Sequence, residues 1–178
     1  ATKLFEQVIK LDPSFDAAYI NFGNCLKKGN KLEDALVYFE KALKIKETPE
    51  AINNIGTIYQ LRGDLSRAKF YYDKAINIDN NYVIAFRNRG TIYFDLENYE
   101  DALIDFKKCI SIDKNTAQNY ISAGNVYFKT ERFSEALNYY TQALEINNQD
   151  YNTLNNIGHC YSNLKQFERS IEFFDKAI

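Results

Sequence analysis

Residues Tyr120–Leu144, YISAGNVYFKTERFSEALNYYTQAL, hold small and aromatic residues at a spacing that decides the fold. Around Gly124 stand Tyr120 four residues before, Tyr127 three after, Ala136 twelve after, Tyr140 sixteen after and Ala143 nineteen after. Leu137, Tyr140 and Leu144 recur at three and four, the spacing of one helix face. The same frame recurs along the chain, on Gly23, Gly56, Gly90, Gly124 and Gly158, at intervals of 33, 34, 34 and 34 residues. Three after each Gly come Leu26, Tyr59, Tyr93, Tyr127 and Tyr161; twelve after come Ala35, Ala68, Ala102, Ala136 and Ser170. Sixteen after come Phe39, Tyr72, Phe106, Tyr140 and Phe174; nineteen after come Ala42, Ala75, Cys109, Ala143 and Ala177. Small residues let two helices approach closely, and the aromatics fill the space beside them.

This pattern resembles the tetratricopeptide repeat (TPR), whose period is 34 residues. The resemblance covers essentially the whole chain. It implies an all-α fold, a right-handed TPR superhelix (α-solenoid) of antiparallel helix pairs, because one hairpin cannot bury its apolar face alone. The expected division is a single array over 1–178: a partial repeat at 1–15, then repeats at 16–48, 49–82, 83–116, 117–150 and 151–178. In the partial repeat Ala1, Phe5, Val8 and Pro13 fall on the small, aromatic, small and proline positions. First helices are predicted over 16–28, 49–62, 83–96, 117–130 and 151–164. Second helices are predicted over 32–45, 65–78, 99–112, 133–146 and 167–178. With Ala1–Leu11 that makes eleven.

Departures from the family pattern are specific. No Trp stands four before Gly, where Ile52 and Leu154 occur. Arg89 takes the place of the usual Leu before Gly, and its guanidinium is expected in water with the stem along the helix. At the one short interval Thr48–Pro49 reads as an N-cap followed by the first helical residue. Apolar Leu4, Phe5, Val8, Ile171, Phe174 and Ile178 near the two ends suggest a fragment of a longer protein, or ends covered by a partner.

Composition narrows the function classes. The 178 residues are 46% hydrophobic and 26% charged, with a formal net charge of −2 and both signs intermixed, so no basic field for phosphates is expected. No apolar run approaches the roughly 20 residues of a membrane span, and no signal sequence is visible. Cys25, Cys109 and Cys160 are odd in number and widely spaced, which argues against a disulfide framework and for a reducing, cytoplasmic setting.

Catalytic patterns are absent. His159 is the one histidine, and its neighbour Cys160 points about 100° away on a helix, so the two do not form a metal or nucleophile pair. Cys160 is expected in the core and His159 on the open face. The glycines form no phosphate loop. Acidic pairs such as Glu33–Asp34 and Glu100–Asp101 open second helices, where they favour the positive end of the dipole. The 27 Tyr and Phe residues fall mostly on core positions rather than on a base-stacking surface. The reading is no enzyme, no cofactor and no nucleic-acid or membrane partner.

What remains is one helix face. Two before each Gly stand Asn21, Asn54, Asn88, Ser122 and Asn156; one after stand Asn24, Thr57, Thr91, Asn125 and His159; three before stand Ile20, Asn53, Arg87, Ile121 and Asn155. In the TPR fold this face points into the concave groove. An asparagine offers one acceptor and two donors, enough to pair with any peptide backbone. The ladder is similar to that of the TPRs of O-GlcNAc transferase and implies a peptide-binding groove of Asn21, Asn24, Asn53, Asn54, Arg87, Asn88, Ser122, Asn125, Asn155, Asn156 and His159. If the face is wet, Asn54 and Asn88 replaced together by Ala leave stability within about 0.5 kcal/mol. Apolar anchors are expected at Ile20, Ile84, Ile121, Phe94 and Phe128, and charges at Lys27, Arg87 and Lys129.

Chaperone-binding members of the family grip a C-terminal carboxylate with Lys and Asn, then Asn, then Lys and Arg, from three successive first helices. Here Ile20 stands where Lys is needed beside Asn24, and Ile84 and Asn88 replace the last pair. The next window offers Asn53 and Thr57, then Gln118 and Ser122. The clamp is absent. The function expected is a scaffold that holds a peptide or helical segment of another protein. The alternatives are an architectural subunit, self-associating through its ends, and the recognition arm of an enzyme whose catalytic domain lies elsewhere.

Overall fold

A computed structural model describes residues 2–178, with side chains from Leu4 onward; Ala1, assigned to a small position of the partial repeat, lies outside them. The described residues form eleven helices and no strand: α1 (Thr2–Leu11), α2 (Asp16–Lys28), α3 (Leu32–Ile45), α4 (Pro49–Leu61), α5 (Leu65–Ile78), α6 (Val83–Asp95), α7 (Tyr99–Ile112), α8 (Ala117–Lys129), α9 (Phe133–Ile146), α10 (Tyr151–Asn163) and α11 (Phe167–Lys176). The sequence places every helix start after the first within this register, and the ends differ by at most two residues.

Local chemistry explains the boundaries. Thr48 caps α4 by accepting the N–H of Ala51 at 3.3 Å, with Pro49 as first helical residue. Asp64 caps α5 through the N–H of Arg67 at 2.9 Å. Each hairpin reverses at a residue with positive φ seven after the repeat glycine: Asn30, Gly63, Glu97, Glu131 and Lys165. Only Gly63 adopts that left-handed conformation without a side-chain clash.

The chain packs as two compact units, residues 1–89 and 90–178, with the division inside α6. In the first unit, buried Phe22, Leu26, Phe39, Ala42, Ile55 and Ile58 form one cluster, with Phe5 and Ile9 of α1 against its side. A smaller cluster joins Ile52, Ala75 and Ala85. Tyr59 and Tyr71 stack with centroids 5.3 Å apart. In the second unit Tyr127, Ala136, Tyr140, Ile157 and Cys160 form one cluster, and Ala102, Phe106, Ala123 and Val126 another. There Tyr127 and Tyr139 stack at 5.2 Å, the same pair of repeat positions as Tyr59 and Tyr71.

The contact that fixes each hairpin is glycine against ring. A methyl group at Gly124 would lie 2.6 Å from Tyr140 Cε1, and one at Gly56 would lie 2.7 Å from Tyr72 Cε1. The ring is 0% exposed at Phe39 and Tyr72, 3% at Phe106 and 1% at Tyr140, whereas Phe174 of α11 is only half-buried and Ile171 beside it is exposed. Arg89 departs from its expectation. Its guanidinium is not free in water but meets Asp73 Oδ1 at 2.6 Å, a carboxylate sixteen residues earlier on α5.

Candidate functional site: the amide-lined face of the first helices

In the first unit the face is built on α2, α4 and the start of α6. Asn21 is exposed and Asn24 half-buried; with Phe5, Cys25, Lys27 and Lys28 they line a cleft of ≈ 320 Å³. Deeper in the unit the amides bond to one another's neighbours. Lys27 Nζ donates to Asn54 Oδ1 at 2.7 Å, and Asn88 Nδ2 donates to Asn53 Oδ1 at 3.0 Å. Each bond links side chains of consecutive repeats. The Lys27 ammonium is partly desolvated, which holds its pKa below the usual lysine value; Lys28 adds to that and Glu50 opposes it.

The condition of a wet face, on which the neutral double replacement rests, is not met at Asn53 and Asn54. Asn53 is 4% and Asn54 7% exposed. Lys27 and Asn88 lie over them, so the amides are part of the packing as well as of the face. Ile20, expected as an anchor in the groove, is instead a buried member of the core cluster, while Ile84 is exposed. Arg87 is half-buried.

In the second unit Ser122 and Asn125 of α8 line a cleft of ≈ 270 Å³ with Thr91, Phe94, Asp95, Phe106 and Gln118. Asn125 Oδ1 accepts the hydroxyl of Tyr140 at 2.7 Å. Ile121 and Phe128 are half-buried, Phe128 edge-on to Phe133 and Phe94 edge-on to Tyr99. On α10, Asn155 and Asn156 are half-buried and His159 is exposed, its ring edge-on to Phe174 at 5.1 Å. Cys160 is buried as expected, and burial pushes its thiol up to about 12. Among the described residues no group of three or more His, Cys, Asp or Glu could hold a metal ion. No described helix is long and apolar enough to cross a membrane.

Two contributors escaped sequence reasoning. Tyr72 and Tyr140, on second helices, send their hydroxyls through to the first-helix face. Tyr72 donates to Gln60 Oε1 at 2.6 Å, and Tyr140 to Asn125. The signal was present in the choice of Tyr over Phe at the position sixteen after glycine. The chemical result is a polarised face. The acceptors of Asn53, Asn54 and Asn125 are already engaged inside the protein, so Asn54 and Asn125 have N–H donors left to offer, while Asn88 keeps an oxygen.

Models of the tetratricopeptide repeat match residues 82–149 and residues 16–49, 49–82 and 151–178, so the chain belongs to the tetratricopeptide-repeat family. Among solved structures it is similar to YrrB, described as a TPR protein with an unusual peptide-binding site, at 26% identity over 100% of this chain and 92% of that one, with a TM-score of 0.76. It also resembles MamA at 20% identity, covering 91% of this chain and 89% of that one, with a TM-score of 0.78. PilF of Pseudomonas aeruginosa superimposes with a TM-score of 0.85 at 18% identity, over 93% of this chain and 76% of that one. The last two likenesses concern the fold alone. No curated protein matches the chain.

Proposed function

We propose that this chain is a protein-interaction module whose first-helix faces hold an extended or helical segment of another protein. The observation that carries the reading is the pre-set polarity of the amides. Lys27 and Tyr140 hold Asn54 and Asn125 by their oxygens, which leaves the N–H groups for the carbonyls of a bound backbone, chiefly at half-buried Asn125 because Asn54 is nearly covered. An amide already oriented loses little side-chain entropy on binding, which favours affinity. The oxygen of Asn88 accepts a backbone N–H in the same scheme. The likeness to YrrB, a protein described by its peptide-binding site, supports this.

The test is partner capture. Wild type and Asn125→Ala, immobilised at equal density, are exposed to cell extract and the retained proteins quantified. Each lost backbone pairing weakens capture by about 0.5–1.5 kcal/mol, or roughly two- to tenfold. An unchanged set at unchanged yield rejects the amide face as the binding surface.

A second reading, self-assembly into a larger architecture, draws on exposed Phe167 and Ile171 of α11. Light scattering over a concentration series separates the two, because assembly raises the mass and peptide capture does not.

A further inference from the structure

We infer that the cleft between the end of α6 and α8 takes an arginine side chain of the bound segment; this rests on the peptide-binding reading and adds a specificity to it. Half-buried Phe94 and buried Phe106 supply the aromatic part of its lining, beside the polar Thr91, Asp95, Gln118, Ser122 and Asn125. Asp95 lines the cleft too, exposed and without an ion-pair partner among the described residues. Gln118 and Ser122 supply neutral oxygens on the α8 side. Gln118 donates from Nε2 to Ser122 Oγ at 3.5 Å, which leaves Gln118 Oε1 as an acceptor. Asn125, its oxygen held by Tyr140, presents N–H groups for the carbonyl of the same residue or its neighbour.

That set fits a planar cation. A guanidinium lies against an aromatic face, donates in its own plane to a carboxylate and to amide oxygens, and sheds water more readily than an ammonium. Charge complementarity points the same way. Charges that look intermixed along the sequence divide unevenly between the units: residues 1–89 hold 14 basic and 11 acidic side chains, a net +3, and residues 90–178 hold 8 and 13, a net −5. Corresponding repeat positions show the contrast directly. Four and five residues after glycine stand Lys27 and Lys28 in the first unit, and Phe94 and Asp95 in the second. The cleft beside Lys27 and Lys28 repels the group that the cleft beside Asp95 attracts. Lys129, which holds the position of Asp95 in the next repeat, is exposed and does not line the cleft.

The intact 178-residue chain is used to select from a displayed library of random twelve-residue peptides. The expected result is enrichment of arginine at one fixed position, with lysine a weaker second. A selected peptide, fluorescently labelled, is then titrated beside its arginine-to-citrulline version, which keeps the shape and loses the charge. Asp95→Asn, an exposed substitution whose fold is checked by its thermal melt, weakens the arginine peptide about tenfold and leaves the citrulline peptide nearly unchanged. Selected peptides without a basic residue, or equal weakening of both peptides by Asp95→Asn, overturn the arginine assignment and leave the peptide-binding reading standing. No selected peptide at all overturns both.

Discussion

Asn88 Nδ2 donates to Asn53 Oδ1 across 3.0 Å, tying side chains that are 35 residues apart in sequence. With the Lys27–Asn54 bond it makes the amide face of the first unit a cross-repeat network rather than a row of independent groups. Removing a rung therefore alters the fold as well as the face.

Asn54→Ala leaves the partly desolvated Lys27 ammonium without its acceptor, and hydrogen bonds to charged groups contribute about 1.5–3 kcal/mol. Lys27 can turn toward water, so the expected loss is near the lower end of that range. Asn21→Ala, at an exposed rung, stays within about 0.5 kcal/mol. Urea titrations compare them. Coincident midpoints would show that the bond adds nothing to stability. The Asn54/Asn88 double change, harmless on a wet face, is destabilising here.

Gly124→Ala pushes a methyl group to 2.6 Å from Tyr140, a ring held by its hydroxyl bond to Asn125. Overpacking of this kind costs about 1–3 kcal/mol, against at most about 1 kcal/mol of helix propensity gained. Gly158→Ala meets Phe174, a half-buried ring free to shift, and is close to neutral. Ala68→Leu and Ala102→Leu, at fully buried positions, follow Gly124→Ala. Thermal melts rank the four; a Gly158 variant melting below the Gly124 variant contradicts the account.

The turn residue Glu131 has φ of 59°, a left-handed conformation that costs an ordinary residue about 1–2 kcal/mol. Glu131→Gly relieves that strain and loses about 0.5–1 kcal/mol to chain entropy, for an expected net gain of roughly 0.5 kcal/mol. Chemical denaturation at neutral pH measures the sign, and a loss of stability counts against strain at this turn.

The three thiols differ in access. Cys25 borders the cleft of α2, whereas Cys109 and Cys160 are 0% exposed. A thiol reagent at pH 8 should modify one cysteine in the folded protein and three after unfolding, with Cys25 identified by peptide mass. Fast native labelling of Cys160, whose thiol burial raises to about 12, would be incompatible with its place in the core.

Alkaline pH should unfold the protein more sharply than its surface charge suggests. Tyr82 is pushed up to about 12 by burial and by the charges of Glu50 and Asp79, and burial raises Tyr72 and Tyr140 as well. A raised phenol stays protonated in the fold while the unfolded chain ionises near the ordinary tyrosine value of 10.0. The folded state then holds more protons, so stability falls as pH rises above about 10 and levels off only past the folded pKa. Below about pH 9 these phenols contribute no pH dependence. Phenolate absorbance lagging behind that of free tyrosine, then rising with loss of helix, is the expected record.

Helix order and boundaries were legible because they depend on residues close in sequence. Gly124, Ala136 and Tyr140 are fixed in spacing by one hairpin. The recurrence of Asn21, Asn54, Asn88 and Asn156 at one helical offset was legible for the same reason. Its hydrogen bonding was not. Asn53 meets Asn88 from a different offset, and Lys27 meets Asn54 a full repeat away, so both depend on how neighbouring hairpins slide against each other. Arg89 shows the same limit. Its position beside Gly90 reads as a solvent-facing stem, and only the packing of α6 against α5 brings Asp73 to its guanidinium.

The half-covered ring of Phe174 also has a consequence in time. In the earlier repeats, a second helix can separate from its partner only by exposing an enclosed aromatic and the neighbours on both sides. At α11 much of that surface is already in contact with water, so α11 can separate from α10 while the cluster that α10 shares with α8 and α9 stays closed. Backbone deuterium uptake should therefore be graded. Amides of α11 exchange first through a local opening, those of α10 later, and those of α8 and α9 only near the free energy of the whole unit.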